Sequence, residues 1–121
     1  MQILLAIFIG GGLGSVSRYL LSRSVTSNFT NINPVGTFIA NLASTIILGV
    51  ILYISTQRGE LSGATKALLV VGFCGGFSTF STFSYETFEL LKTGSYTFAF
   101  ANIFLSILLG VGVLYMLARS L

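Results

Sequence analysis

Four long apolar runs, at roughly 2–21, 34–56, 65–90 and 96–118, take up most of this chain of 121 residues. A run of about 18 or more such residues is long enough to cross the hydrocarbon core of a bilayer as a helix. The lipid interior has no water to satisfy a bare backbone, so helices and closed barrels are the structures that can span it. The pattern therefore predicts an all-α membrane protein of four transmembrane helices, with 1–121 as a single domain and no length left over for a soluble one. Six basic and three acidic side chains and a mean hydropathy of +0.94 agree with this, since about a quarter of the residues of a soluble domain are charged.

Several function classes fall away on composition. A net charge of +3 is too small to imply a nucleic-acid partner. One cysteine, Cys74, and no histidine give no transition-metal site. Only Met1 and Gln2 precede the first apolar run, and its arginines, Arg18 and Arg23, come after it. That is the reverse of a cleaved signal, so a retained first span is expected.

With four spans, Arg58, Lys66 and Arg119 fall on one side of the membrane and Arg18, Arg23 and Lys92 on the other. Lys and Arg bias normally fixes which loops stay inside, and here the sides are even. Either one flank dominates insertion, or the chain inserts both ways up and can form an antiparallel homodimer.

Within the spans, the polar residues are placed with a pattern. The first carries Gly10 and Gly14 at the small-xxx-small spacing of close helix packing. The second opens at Pro34, the only proline, and sets Thr37, Asn41, Ser44 and Thr45 at i, i+4, i+7 and i+8 on one face. Such a stripe must turn towards protein or water, either to bond a neighbouring helix or to line a pathway. The fourth repeats the theme more weakly with Asn102, Ser106 and Gly110.

The third span holds the densest feature, GGFSTFSTFSY at 75–85. Glycines at 72, 75 and 76 weaken a helix there, so the third helix is expected to break near its centre, at those glycines. A broken helix at membrane depth is tolerated only where its backbone is buried in protein or lines a cavity, and such breaks often form ion sites. The embedded polar groups are hydroxyls and amides, joined by aromatic ring edges of partial positive charge. Full charges are nearly absent, Glu86 being the exception. A neutral, donor-lined pathway suits a small, strongly hydrated anion better than a cation, whose channels use carboxylate or carbonyl rings. A proton-coupled exporter of lipophilic cations would need an accessible carboxylate in the membrane, and the first span has none.

GFCGGFSTFSTFSYE, GGGLGSVSRYLL and NPVGTFIANL together resemble the Fluc family of fluoride channels, also known as CrcB proteins, and the resemblance covers the whole chain. It implies an antiparallel, dual-topology homodimer in the cell inner (plasma) membrane with two pores along the dimer interface. It implies a fluoride pathway at Asn41, Phe80, Phe83, Ser81, Thr82 and Thr37. A structural sodium ion at the dimer centre would be held by the main-chain carbonyls of Gly75 and Ser78. Arg18 and Glu86 match family positions with structural or vestibular roles, and Asn102 and Ser106 are weaker matches. Phe77 falls at a variable position of the motif. The implied activity is passive export of fluoride, with no enzymatic step.

Overall fold

The computed structural model describes residues 1–25 and 34–118. Arg119 and most of the polar connector after the first span lie outside the described residues. Among the described residues all regular structure is helical. Helix α1 is Gln2–Val25 and α2 is Pro34–Arg58. The third span runs through α3 (Gly63–Lys66), a π-helical segment (Ala67–Cys74), α4 (Gly75–Phe77) and α5 (Phe80–Lys92), and α6 is Tyr96–Ala118. Four stretches of the described residues are long and apolar enough to cross a membrane, from 22 to 30 residues each. At about 1.5 Å per residue the shortest reaches ~33 Å, enough for a ~30 Å hydrocarbon core.

The ends of these helices follow from local chemistry. Pro34 opens α2, where its missing N–H is no loss. Ser62 caps α3 by accepting from the Thr65 N–H at 3.2 Å, which starts the third span two residues earlier than its hydropathy suggests. At the other end Gly94 adopts φ 84°, the Ser95 N–H reaches back to the Leu90 carbonyl at 2.8 Å, and the Gly94 N–H bonds that of Leu91 at 3.2 Å. This paired closure needs a left-handed residue, which glycine supplies without a Cβ clash. The same turn starts α6, whose Ala99 N–H bonds the Ser95 carbonyl at 3.0 Å.

Inside and outside are exchanged relative to a water-soluble protein. The buried apolar residues are Ala40, Ala67, Cys74, Phe77 and Ala99, and the buried polar ones are Thr37, Ser44, Glu86 and Thr87. Large apolar side chains such as Phe8, Phe98, Leu108 and Met116 point outward. In lipid, apolar side chains gain little by leaving the solvent, so helices associate through close backbone approach and hydrogen bonds. α1 packs along the π-helical segment and α4, while α2 packs on α6, where Gly49 lies under the Leu117 side chain. None of the most apolar eighteen residues of the fourth span is fully buried within the chain.

Glycine accounts for the tightest contact. A Cβ on Gly10 would collide with the Leu68 carbonyl, and one on Gly14 with the Phe73 carbonyl. Opposite them, a Cβ on Gly76 would come within 2.5 Å of the Gly11 carbonyl, and one on Gly72 within 3.0 Å of the Gly10 Cα. One four-residue step of α1 thus matches the five-residue step from Leu68 to Phe73, the wider repeat of the π-helical turn.

Candidate functional site

In GGFSTFSTFSY the backbone leaves the helix at Ser78 (φ −83°, ψ 156°) and Thr79 (φ −150°, ψ 121°), halfway along the 30-residue third span. This corrects the expectation that the glycines make the break. Gly75 and Gly76 are helical, and Gly76 is needed for its contact with α1.

Two extended residues detach N–H and C=O groups from their helical partners, and in lipid these must be satisfied by protein. Side chains of α1, of α2 and of the break itself do so. The Asn41 amide on α2 pairs with Thr79 in both directions. Its Nδ2 donates to the Thr79 carbonyl at 3.3 Å, and the Thr79 N–H donates to its Oδ1 at 2.8 Å. One turn further along α2, Ser44 Oγ donates to the Cys74 carbonyl at 3.0 Å. That carbonyl also accepts from the Ser78 hydroxyl at 2.9 Å and the Ser78 N–H at 3.1 Å. From α1, the half-buried Arg18 donates Nε to the Gly76 carbonyl at 3.2 Å, a favourable place for positive charge at a helix C-terminus. Thr79 itself caps α5, its Oγ1 accepting from the Thr82 N–H at 3.3 Å.

The diversion is selective. In an unbroken helix the Thr79 N–H would close on the Gly75 carbonyl and the Thr82 N–H on that of Ser78. Here the first goes to Asn41 and the second to Thr79 Oγ1. The carbonyls of Cys74, Gly76 and Thr79 gain side-chain donors, while those of Gly75 and Ser78 lose their helical ones. Gly75 is exposed, and a Cβ there would meet nothing closer than the Val70 carbonyl at 3.9 Å. Neutral carbonyl oxygens suit a hard cation, and among the described residues no group of His, Cys, Asp and Glu could hold a transition metal.

Beyond the break, a cavity of about 290 Å³ opens at the chain surface, lined by Asn41, Ser78, Thr79, Phe80, Phe83, Ser106 and Ile107. Phe80 is 80% exposed, and its ring lies 6.0 Å from that of Phe83, tilted by 35°. Phe77, the first phenylalanine of the run, is only 7% exposed and packs edge-on against Phe73. Behind Asn41 a second space of about 30 Å³ is bounded by Phe38, Leu42, Thr45, Ser106 and Gly110, room for about one water. Asn41 and Ser106 therefore face both spaces.

A chain of hydrogen bonds ties this wall to α6. Thr87 Oγ1 donates to the Phe83 carbonyl at 2.8 Å, Asn102 Nδ2 donates to Thr87 Oγ1 at 3.2 Å, and Ser106 Oγ reaches Asn102 Oδ1 at 3.5 Å. Ser106 and Asn102, the weaker expectations, thus belong to the same wall as Phe83.

The structure brings Asn41, Phe80, Phe83, Ser78 and Ser106 to one cavity. Thr82 lies in the cap beside it, and Ser81 is exposed with its hydroxyl 3.4 Å from Thr79 Oγ1. Thr37 is buried one turn before Asn41 and is outside that lining. Arg18 reaches the break through the Gly76 carbonyl, and Glu86 is buried at 3% exposure within α5. Sequence reasoning missed two roles. Thr79 is the cap, signalled only by its spacing to Thr82. Thr87 is the link to α6, and its partner lies 15 residues away.

Such a wall offers hydroxyl, amide and ring-edge donors with no full charge, so it can coordinate a small anion without trapping it. The family model for CrcB-like protein, Camphor Resistance (CrcB), matches residues 5–118. A protein of Phocaeicola vulgatus is 46% identical over 111 residues, 92% of this chain and 91% of its own length. One from Leptospira interrogans is 45% identical over 109 residues (90% and 86%), and one from Escherichia coli is 43% identical over 108 (89% and 84%). Each of these relatives is named fluoride-specific ion channel FluC. With its apolar spans, interrupted motif and match over nearly its whole length, the chain belongs to the CrcB family.

Proposed function

We propose that this chain is one subunit of a fluoride-selective channel that lets fluoride leave the cytoplasm passively. Two copies lie antiparallel as a homodimer in the plasma (inner) membrane, forming two pores at their interface around a central sodium ion. The observation that carries this reading is the open cavity where Asn41, Phe80, Phe83 and Ser106 present neutral donors. Its exposed side calls for a second wall, which another copy supplies. The fluoride-channel names of relatives up to 46% identical support the choice of ion, and the even Lys and Arg count supports insertion both ways up.

Fluoride is small and holds water tightly, so it needs several short hydrogen bonds in exchange. The second proton of Asn41 Nδ2, the Ser81 and Thr82 hydroxyls, the Ser106 hydroxyl on turning from Asn102 Oδ1, and the ring edges of Phe80 and Phe83 provide them in sequence. Thr37, one turn from Asn41, extends this polar track. Chloride is larger and accepts weaker hydrogen bonds, so the same narrow path excludes it. Fluoride that enters as the neutral acid at low external pH ionises in the neutral cytoplasm. It then leaves down its gradient, helped by a negative-inside potential. At the break, the Gly75 and Ser78 carbonyls of both subunits would hold the sodium, which supplies positive charge that pins the two backbones together. Arg18 steadies the adjoining Gly76 carbonyl, and Glu86, buried on α5, has a structural role.

Purified protein in liposomes tests the reading by comparing fluoride and chloride release. Fast fluoride efflux with chloride retained is expected, and equal release of both would overturn the selectivity. Cysteine-accessibility labelling tests the topology: each loop should react from both sides, and one-sided labelling would rule out dual insertion.

A further inference from the structure

The same amide that faces the cavity also holds the break open, and these two roles can be separated. Asn41 Oδ1 takes the Thr79 N–H at 2.8 Å, the group that would otherwise close on the Gly75 carbonyl. A half-buried N–H needs an acceptor, and with Asn41 gone the partner that helix geometry offers is that carbonyl, four residues back along the chain. Cys74 and Gly76 differ here, because their carbonyls carry donors from Ser44 and Arg18. Of these three neighbouring carbonyls, that of Gly75 is the one whose state depends on Asn41.

We propose that Asn41 is a positioning residue for the cation site: by taking the Thr79 N–H it keeps the Gly75 carbonyl turned to a monovalent cation, so that one side chain sets both the anion pathway and the cation site. This rests on the channel reading above, with its sodium ion at the Gly75 and Ser78 carbonyls. The two roles use different atoms. Holding Thr79 needs the acceptor Oδ1, while greeting an anion needs the donor Nδ2. Asn41→Asp keeps an acceptor and loses the donor. Asn41→Leu, of similar volume, loses both, and Asn41→Ala does so with a smaller side chain.

The test is the thermal melting midpoint of the purified dimer in sodium chloride against N-methylglucamine chloride, with fluoride efflux measured in parallel. Wild type should melt several degrees higher in sodium. Asn41→Leu and Asn41→Ala should lose that sodium-dependent rise, Asn41→Asp should keep it, and all three should lose most fluoride flux. Ser106→Ala, on the same cavity but bonded to Asn102 and not to the Thr79 N–H, should keep the rise. A full sodium rise in Asn41→Leu or Asn41→Ala confines Asn41 to the pathway and overturns the proposal. Loss of the rise in folded Asn41→Asp or in Ser106→Ala overturns it as well, so the proposal can still fail where the apolar variants do not stay folded. Absence of any rise in wild type removes the cation itself, a failure of the underlying reading that is distinguishable because no variant is needed to see it.

Discussion

Along the third span, Gly72 and Gly76 meet the backbone of α1 with no side chain between them, whereas four residues after Gly76 the Phe80 ring stands 80% exposed beside an open cavity. The first half is built for contact within the chain, backbone against backbone, and its one buried ring, Phe77, belongs to that packing. The second half turns rings and hydroxyls outward. Between them lie Ser78 and Thr79, where hydrogen bonding passes from the helix to side chains of α1 and α2. Packing within the chain and, on the proposed reading, ion handling thus fall to consecutive halves of one apolar stretch, and substitutions in each should fail in different ways.

The largest effect is expected in the first half. A Cβ on Gly10 or Gly14 would run into a backbone carbonyl that has no rotamer to yield, so Gly10→Val and Gly14→Val should leave no folded protein after detergent extraction. Even alanine there should cost on the order of 3 kcal/mol, the upper range for overpacking. Size-exclusion profiles and melting midpoints measure this. Stable, monodisperse variants would undo the claim that α1 is held by backbone contact.

Next come the outward rings. Phe80→Ile and Phe83→Ile should slow fluoride efflux by about tenfold, on a loss of ~1.4 kcal/mol from ring-edge interactions, with a smaller change in melting. Phe77→Leu should do the opposite, lowering stability more than flux. Matching behaviour of Phe77 and Phe80 variants would erase the distinction between the halves.

Thr87→Val should be milder. It removes a bond to the Phe83 carbonyl and the partner of Asn102, costing about 1 kcal/mol of stability and a modest part of the flux. The smallest effect is predicted for Gly12→Ala, within about 0.5 kcal/mol of wild type. It sits two residues from Gly10 and Gly14, yet a Cβ there meets nothing within 4 Å. Strong destabilisation by Gly12→Ala would mean that glycine serves α1 through flexibility and not through contact.

The four spans were legible in the sequence because crossing a bilayer is a property of each segment alone. The inward face of α2 was legible for the same reason: Thr37, Asn41, Ser44 and Thr45 share a helical side, and all are buried or half-buried. The position of the break was not. Intrinsic propensity points to Gly75 and Gly76, but their lack of a Cβ serves packing. The helix yields two residues later because Asn41, 38 residues away, bonds the Thr79 backbone. Thr87 was illegible on similar grounds, since nothing in FSYETFEL announces an amide arriving from α6. A tertiary partner decided both cases. The resemblance to the family named Asn41, Phe80, Phe83 and Ser106, which share one cavity, yet it was silent on Thr79 as a cap.

The most direct measurement is electrode-recorded fluoride efflux from liposomes carrying wild type, Gly12→Ala and Phe80→Ile at equal dimer content. A channel whose second half handles the ion predicts rapid efflux from wild type and Gly12→Ala, with Phe80→Ile markedly slower while still dimeric. Efflux no faster than from empty vesicles, by wild-type protein shown to be folded and dimeric, would contradict the channel itself.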